Sequence, residues 1–227
     1  MRLMRLFSGC IVVLLLGLFS TSAVALEPFT AQYRATYMGH SATAQMRLES
    51  TGNQQWRYTL TLENVLASFN YSTLFDEYNQ QWRPLTSVVA SSIPFRKRRV
   101  EGHYDWNAQQ ATWSGHAKPD RRGPVALQPG DVDGALINLA VVRDVARGQP
   151  LEYRLVEGGR ARPRHYQIIG EETVTIGDKM VRTTKIQRVD GEKEELAWIA
   201  ADLPFPVRLL QREKGEDVQD LVLLAYP

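Results

Sequence analysis

The chain has 227 residues, with 27 Lys and Arg against 25 Asp and Glu, a formal net charge of +2 and a single cysteine. So even a balance gives no global field for nucleic acid or an acidic substrate, and one thiol cannot form an intramolecular disulfide or a cysteine-based zinc cluster. At this length one domain is expected, stabilised by an ordinary apolar core.

Arg2 and Arg5 precede an apolar stretch from Leu6 to Phe19, and Ser20, Thr21 and Ser22 lead into Ala23, Val24 and Ala25, a small-residue cleavage pattern. The stretch is shorter than the roughly 18 apolar residues that read as a spanning helix. Residues 1–25 are therefore expected to be a signal peptide cleaved between Ala25 and Leu26, placing the protein in the periplasm with no transmembrane segment left. Cys10 precedes the hydrophobic core, whereas a lipoprotein box needs it behind, so lipidation is not expected. Cleavage removes Cys10 and two arginines but no carboxylate. Residues 26–227 then form a single β-rich domain, neutral and without a thiol.

Phe29, Ala31, Tyr33, Ala35 and Tyr37 alternate with polar residues, the period of two expected of a strand with one buried face. The alternation recurs from Thr43 to Leu48 and from Trp56 to Leu62, so the opening reads as an antiparallel meander. Phe69, Tyr71, Phe75, Tyr78 and Trp82 keep the next segment aromatic, and Arg99 to Trp106 and Ala111 to Ser114 read as further strands. The period then changes once: Val132, Ala135, Leu136, Leu139, Val142 and Ala146 recur at three and four residues, predicting one main α-helix over about 132–147 with a single apolar face. Asp131 or Asp133 can cap its start, and Gly148 and Pro150 stop it. Strands return from Leu151 to Val156, Tyr166 to Ile176, Met180 to Val189, Glu194 to Ala200, Val207 to Arg212 and Val218 to Tyr226. Asp190-Gly191 is suited to the positive φ angles of a type I′ hairpin turn.

Long antiparallel strands around one helix must either close on themselves or cover their apolar face. The fold class is mainly β: an antiparallel β-barrel or a strongly curved half-barrel with the helix against its concave side, a two-sheet sandwich being the alternative.

Catalytic signals are sparse. There is no Gly-x-Ser-x-Gly elbow and no glycine-rich phosphate loop, and His40, His103, His116 and His165 show no metal-ligand spacing. Asp131 and Asp133 could be imagined as paired carboxylates, but negative side chains are also favoured at a helix start, and capping is the plainer role. No cofactor, metal or nucleic-acid partner is expected, and the protein reads as a non-enzyme. The remaining feature is basic: Arg96, Lys97, Arg98 and Arg99, then Arg121 and Arg122, then Arg160, Arg162 and Arg164. Brought together, they would make a positive field able to hold lipid phosphates; left apart, they are solvated strand ends and loops. Export, aromatic strands and basic loops together suggest binding of a lipid or another apolar or amphipathic envelope component. The alternative is a filled barrel that docks another envelope protein, and an unrecognised hydrolase comes last.

Phe29-Thr30-Ala31-Gln32-Tyr33 running to Tyr37-Met38-Gly39, Phe75-Asp76 with Trp82-Arg83-Pro84, Pro129-Gly130-Asp131-Val132-Asp133, and Trp198-Ile199-Ala200-Ala201-Asp202 with Pro206-Val207-Arg208 together resemble the exported bacterial proteins grouped as domain of unknown function 3108. The resemblance implies an envelope location and a β-rich, barrel-like fold, and supplies no catalytic residues. The closing tryptophan strand, acidic turn and Pro-Val-Arg strand is also similar to the curved-sheet periplasmic carriers of lipoproteins, although hairpin packing explains the same residues.

Overall fold

The computed structural model describes residues 26–37 and 39–225, and the expected signal peptide, cleavage at Ala25 included, lies outside them. Seven strands come first: β1 (Phe29–Tyr37), β2 (His40–Gly52), β3 (Gln55–Glu63), β4 (Ser68–Tyr78), β5 (Gln81–Ile93), β6 (Arg96–Asp105) and β7 (Gln110–Gly115). A 3-10 turn at Pro119–Arg121 leads to the short strands β8 (Val125–Ala126) and β9 (Asp131–Val132) and to the helix α1 (Leu136–Ala146). After it come β10 (Glu152–Glu157), β11 (Arg160–His165), β12 (Gln167–Ile176), β13 (Lys179–Asp190), β14 (Lys193–Ile199), β15 (Arg208–Glu213) and β16 (Glu216–Leu223).

Thirteen strands form one sheet in the order β12-β13-β14-β15-β16-β1-β2-β3-β4-β5-β6-β7-β8, while β11, β10 and β9 make a separate three-stranded sheet. All neighbours in the large sheet are successive in sequence except β16 and β1, whose pairing runs from Tyr33 opposite Leu223 to Tyr37 opposite Gln219. The sheet is not closed: β12 and β8 are its edges, and it curves as a half-barrel around α1. A sandwich is thereby excluded. Alternation works as the sequence predicts, with Ala31, Tyr33 and Ala35 buried on β1 and Ala42, Ala44, Met46 and Leu48 on β2.

The helix departs from its expected bounds and environment. Asp131 and Val132 pair in parallel with Arg154 and Leu155 as strand β9, so α1 begins at Leu136 and ends at Ala146. Nor is one face alone apolar: Leu136, Ile137, Leu139, Ala140, Val141, Val142 and Asp144 are all buried. A helix buried nearly all round is the core of its domain, and here it joins Tyr33, Met46, Tyr58, Phe75, Ile186 and Leu221 in one apolar cluster. Its only buried charge is neutralised, because Arg143 donates to both oxygens of Asp144 at 2.7 and 3.0 Å, Tyr153 donates to Oδ2 at 2.9 Å, and the Arg143 guanidinium lies 4.3 Å above the Trp82 ring. A smaller cluster of Tyr104, Ala111, Trp113, Leu127 and Val156 seats the three-stranded sheet.

Strand β11 is an addition to the sequence reading, which takes Arg160 to Arg164 for a basic loop. Pro163 is compatible with a strand there because β11 lies at an edge. The β10–β11 turn packs closely on the 3-10 turn: Gly159 has φ +73°, and a Cβ built on it would lie 2.5 Å from the Arg121 carbonyl. Gly159→Ala is therefore expected to lower unfolding free energy by about 2 kcal/mol or more, combining a left-handed backbone with a clash. Gly177→Ala, at φ +62° with nothing within 4 Å, is expected to cost about 1 kcal/mol, the backbone part alone. Urea unfolding of the two variants measures the difference.

Candidate functional site: a cavity under the helix and a basic cleft beside it

Between α1 and the concave face of the sheet lies a partly open cavity of about 290 Å³. Ile137 and Val141 of α1 form one wall, and Leu60, Ile186, Leu196, Leu209 and Leu210 of the sheet form the facing one. Polar groups converge on part of its lining: Arg164, Tyr166, Glu195, Gln211 and Gln219. Tyr166 donates to Glu195 at 3.1 Å, and Glu195 in turn receives Arg188 at 3.0 Å. Both interactions fix the polar side of the cavity.

A second cleft of about 350 Å³ lies beyond Glu157, whose side chain lines both. Phe69, Val89, Val100 and Trp113 give it an apolar floor, and Arg98, Arg121 and Arg162 line it. One arginine from each of the three basic runs is thus gathered at one place. Glu157 on the lining and Asp120, which pairs with Arg121 at 3.4 Å, supply two carboxylates against the three guanidinium groups, leaving a local excess of positive charge suited to a carboxylate or phosphate oxygen. The structure does not gather the rest. Lys97 and Arg99 point to the convex side of β6, with Arg99 paired to Glu101 at 2.7 Å. Arg96 and Arg160 stand exposed at strand starts and Arg122 is exposed after the 3-10 turn, while Arg164 belongs to the first cavity and pairs with Asp190 at 3.6 Å. Among the described residues no three His, Asp or Glu side chains converge as a metal site would require.

Asp131 and Asp133 occupy different environments. Asp133 is fully buried at the helix start, where its Oδ1 accepts from the N–H groups of Ala135 at 3.2 Å and Leu136 at 2.8 Å, and its carbonyl accepts from Ile137 at 3.1 Å. Oδ2 accepts from the Thr73 hydroxyl at 2.5 Å, tying α1 to β4. Burial pushes its pKa up to about 7 against these hydrogen bonds, and the nearby Glu157 charge adds to the rise. Asp131 faces away from the helix: its Oδ2 accepts from Arg154 at 2.6 Å and from the Gln128 N–H at 2.8 Å. Burial raises its pKa, and the Gln128 amide and Arg154 oppose the rise.

Polar residues on the inner face between β4 and β6 are a part of the site that reasoning from charged runs does not find. Tyr71, Thr73, Ser87 and Ser91 occupy inward positions where an all-apolar core would place aliphatics. Tyr71 accepts from the Gly134 N–H at 2.9 Å and is hydrogen-bonded to Glu157, and burial together with the Asp133 and Glu157 charges holds its pKa well above the ordinary phenol value. Gly134 eases this approach, since a Cβ there would lie 3.0 Å from the Glu157 carboxylate and 3.1 Å from the Tyr71 ring. The available signal is the phase of the alternation, which puts hydroxyls on the buried face of β4 and β5.

The elevated Asp133 pKa has a signed consequence. Between about pH 4 and pH 7 the folded state keeps a proton that the unfolded state releases, so the contribution of Asp133 is fully present below its unfolded value of 3.8 and is lost as pH rises through about 7. The wild-type urea midpoint is expected to fall between pH 5 and pH 8. Asp133→Asn, which keeps the Oδ1 acceptor and cannot ionise, is expected to show a distinctly smaller fall, with the remainder coming from groups such as Asp131.

Two of the motifs that carry the family resemblance are held by ion pairs across hairpins. Arg83 donates to both oxygens of Asp76 at 2.9 and 2.6 Å beside the Phe75–Trp82 ring pair, and Arg208 holds Asp220 at 2.8 Å twice while lying 4.8 Å from the Trp198 ring. A crystal structure of a β-barrel-like protein of domain of unknown function DUF1849 from Brucella abortus is similar at a TM-score of 0.56 and 10% identity, covering 89% of this chain and 98% of that one. At that identity the likeness is one of fold. No curated protein matches the sequence. The family model described as Protein of unknown function (DUF3108) matches residues 32–221, nearly the whole of the β-rich domain, and the chain belongs to that family.

Proposed function

We propose that the protein is exported to the periplasm, loses residues 1–25 and binds a small amphipathic anion of the envelope, a fatty-acid-like molecule, without transforming it. The observation that carries this reading is the apolar cavity under α1 adjoining a cleft that gathers Arg98, Arg121 and Arg162. Its volume of about 290 Å³ is at the small end of ligand pockets, which run from roughly 300 to 1,000 Å³. One acyl segment fits such a space better than a multi-chain lipid. The apolar part would lie against Ile137, Val141 and Leu209, and the head would meet the arginines past Glu157. Asp133 is occupied by the helix start and Thr73, which favours a binding protein over a hydrolase, and the open cavity favours ligand binding over a barrel filled throughout.

N-terminal sequencing of the exported protein is expected to begin at Leu26. A dansyl-labelled fatty acid should bind the processed chain saturably, and Leu209→Trp, which fills the cavity, should weaken binding about tenfold, the loss expected for roughly 1.4 kcal/mol of contact. The pair Arg98→Glu and Arg162→Glu should weaken the labelled acid but not its methyl ester. Absence of saturable binding, with no lipid copurifying by mass spectrometry, rejects the proposal.

A further inference from the structure

Two hairpin turns carry apolar side chains into solvent at one end of the large sheet. Glu63 faces Ser68, Ser68 faces Ser92, and Ile93 faces Arg96, so the β3–β4 and β5–β6 turns leave the sheet side by side. Val65 is 101% and Leu66 71% exposed, and across from them Phe95 is 109% and Ile93 49% exposed.

Neither turn is shaped by chance. Asn64 Oδ1 accepts from the N–H groups of Leu66 at 2.9 Å and Ala67 at 2.7 Å, and the Asn64 N–H donates to the Ala67 carbonyl at 2.9 Å, which holds Val65 and Leu66 at the apex. In the second turn Phe95 follows Pro94 at φ +66°, the place where a proline-initiated turn favours glycine or asparagine. Phenylalanine there is unfavourable in its backbone and again in leaving a whole ring in water. Among the described residues no packing contact covers the ring, which is 109% exposed.

Cations follow at once. Arg96, Lys97 and Arg98 are exposed, and among the described residues none has a carboxylate partner, in contrast to Arg99 with Glu101. The hairpins farther along the same end, at Asp190-Gly191 and Lys214-Gly215, carry mixed charge, with Asp190, Glu192, Glu213 and Glu216 beside Lys193 and Lys214, which pair with Glu213 and Glu192. The apolar and cationic features therefore coincide on the β3–β6 side.

We propose that this end of the sheet docks on an anionic lipid surface, with Phe95, Leu66 and Val65 entering the boundary between headgroups and acyl chains while Arg96, Lys97 and Arg98 meet lipid phosphates. A bilayer interface accepts separate apolar tips at a common depth and needs no fitted pocket, and anionic headgroups complement the unpaired cations. The occupancy of the cavity does not enter this inference, although the Arg98 cleft opens near the same end.

The test is sedimentation of the processed chain beginning at Leu26, which contains every described element, with vesicles of phosphatidylglycerol and phosphatidylcholine or of phosphatidylcholine alone. Binding is expected to the anionic vesicles, to weaken as salt rises, and to be much lower on the neutral ones. Phe95→Gly is the decisive variant, because it suits the turn: its Tm should equal or exceed that of the wild type, while vesicle affinity falls about tenfold or more, the loss expected for withdrawing one aromatic ring from lipid. Lys97→Glu should reduce binding and its salt dependence together. Leu209→Trp, which fills the cavity, should leave vesicle binding unchanged, so a failure of ligand binding and a failure of docking are told apart. Wild-type protein that stays in the supernatant with anionic vesicles, binds neutral ones equally well, or is matched by Phe95→Gly overturns the proposal.

Discussion

Pairing of β1 with β16 is the constraint on which the rest of the architecture depends. It joins two meanders, each with one apolar face, into a single curved sheet, and it is reinforced away from the ladder: the Tyr33 hydroxyl donates to the Pro206 carbonyl at 2.8 Å, and the Leu224 N–H donates to the Gln32 carbonyl at 2.9 Å. Closing so long a span of chain costs entropy that grows only slowly with length, but it must be met before the contacts it brings are formed. Once the sheet is continuous, the segment from β8 to β12 has one place to go. It folds into the concavity and supplies the helix that covers the apolar face.

That insertion determines the chemistry of the interior. Along most of α1 the contact with the sheet is apolar, but at the helix start the unpaired N–H groups demand acceptors, and the sheet meets them with polar side chains. Asp133 accepts from the first amides and from Thr73, and Tyr71 links Gly134 to Glu157. The same polar zone divides the concavity, leaving an apolar cavity on one side and an arginine-lined cleft on the other. A two-part site is thus a by-product of where the helix begins.

Much of the large sheet was legible because strand alternation is a strictly local signal, as on β1, β2 and β6, and the helix was legible because its period differs from everything around it. Its boundary was not: Val132 continues the helical spacing, but pairing with Leu155, a partner 23 residues away, takes it into a strand. Burial of α1 on all sides was also hidden, since spacing shows which residues share a face and says nothing of how many neighbours surround it. The arginine runs were visible as composition, and the phase of β6 turns Lys97 and Arg99 away from Arg98, yet only the close approach at Gly159 and the placement of β11 bring Arg121 and Arg162 to the same cleft. Glu157 carries no sequence mark at all, and Tyr71 is marked only by the phase of its strand. Their roles arise from contacts between distant elements.

An unclosed sheet leaves two rows of backbone donors and acceptors without partners, and both are blunted here. On one side the edge is β8, a strand of two residues. On the other, β12 is interrupted by a bulge between Ile168 and Gly170, where φ is +143°, and then presents Glu171 and Glu172. Bulges, charges and short edges each spoil the template that another chain would extend. The barrel can therefore remain open toward its insertion without becoming a seed for strand-by-strand growth into aggregates or fibres.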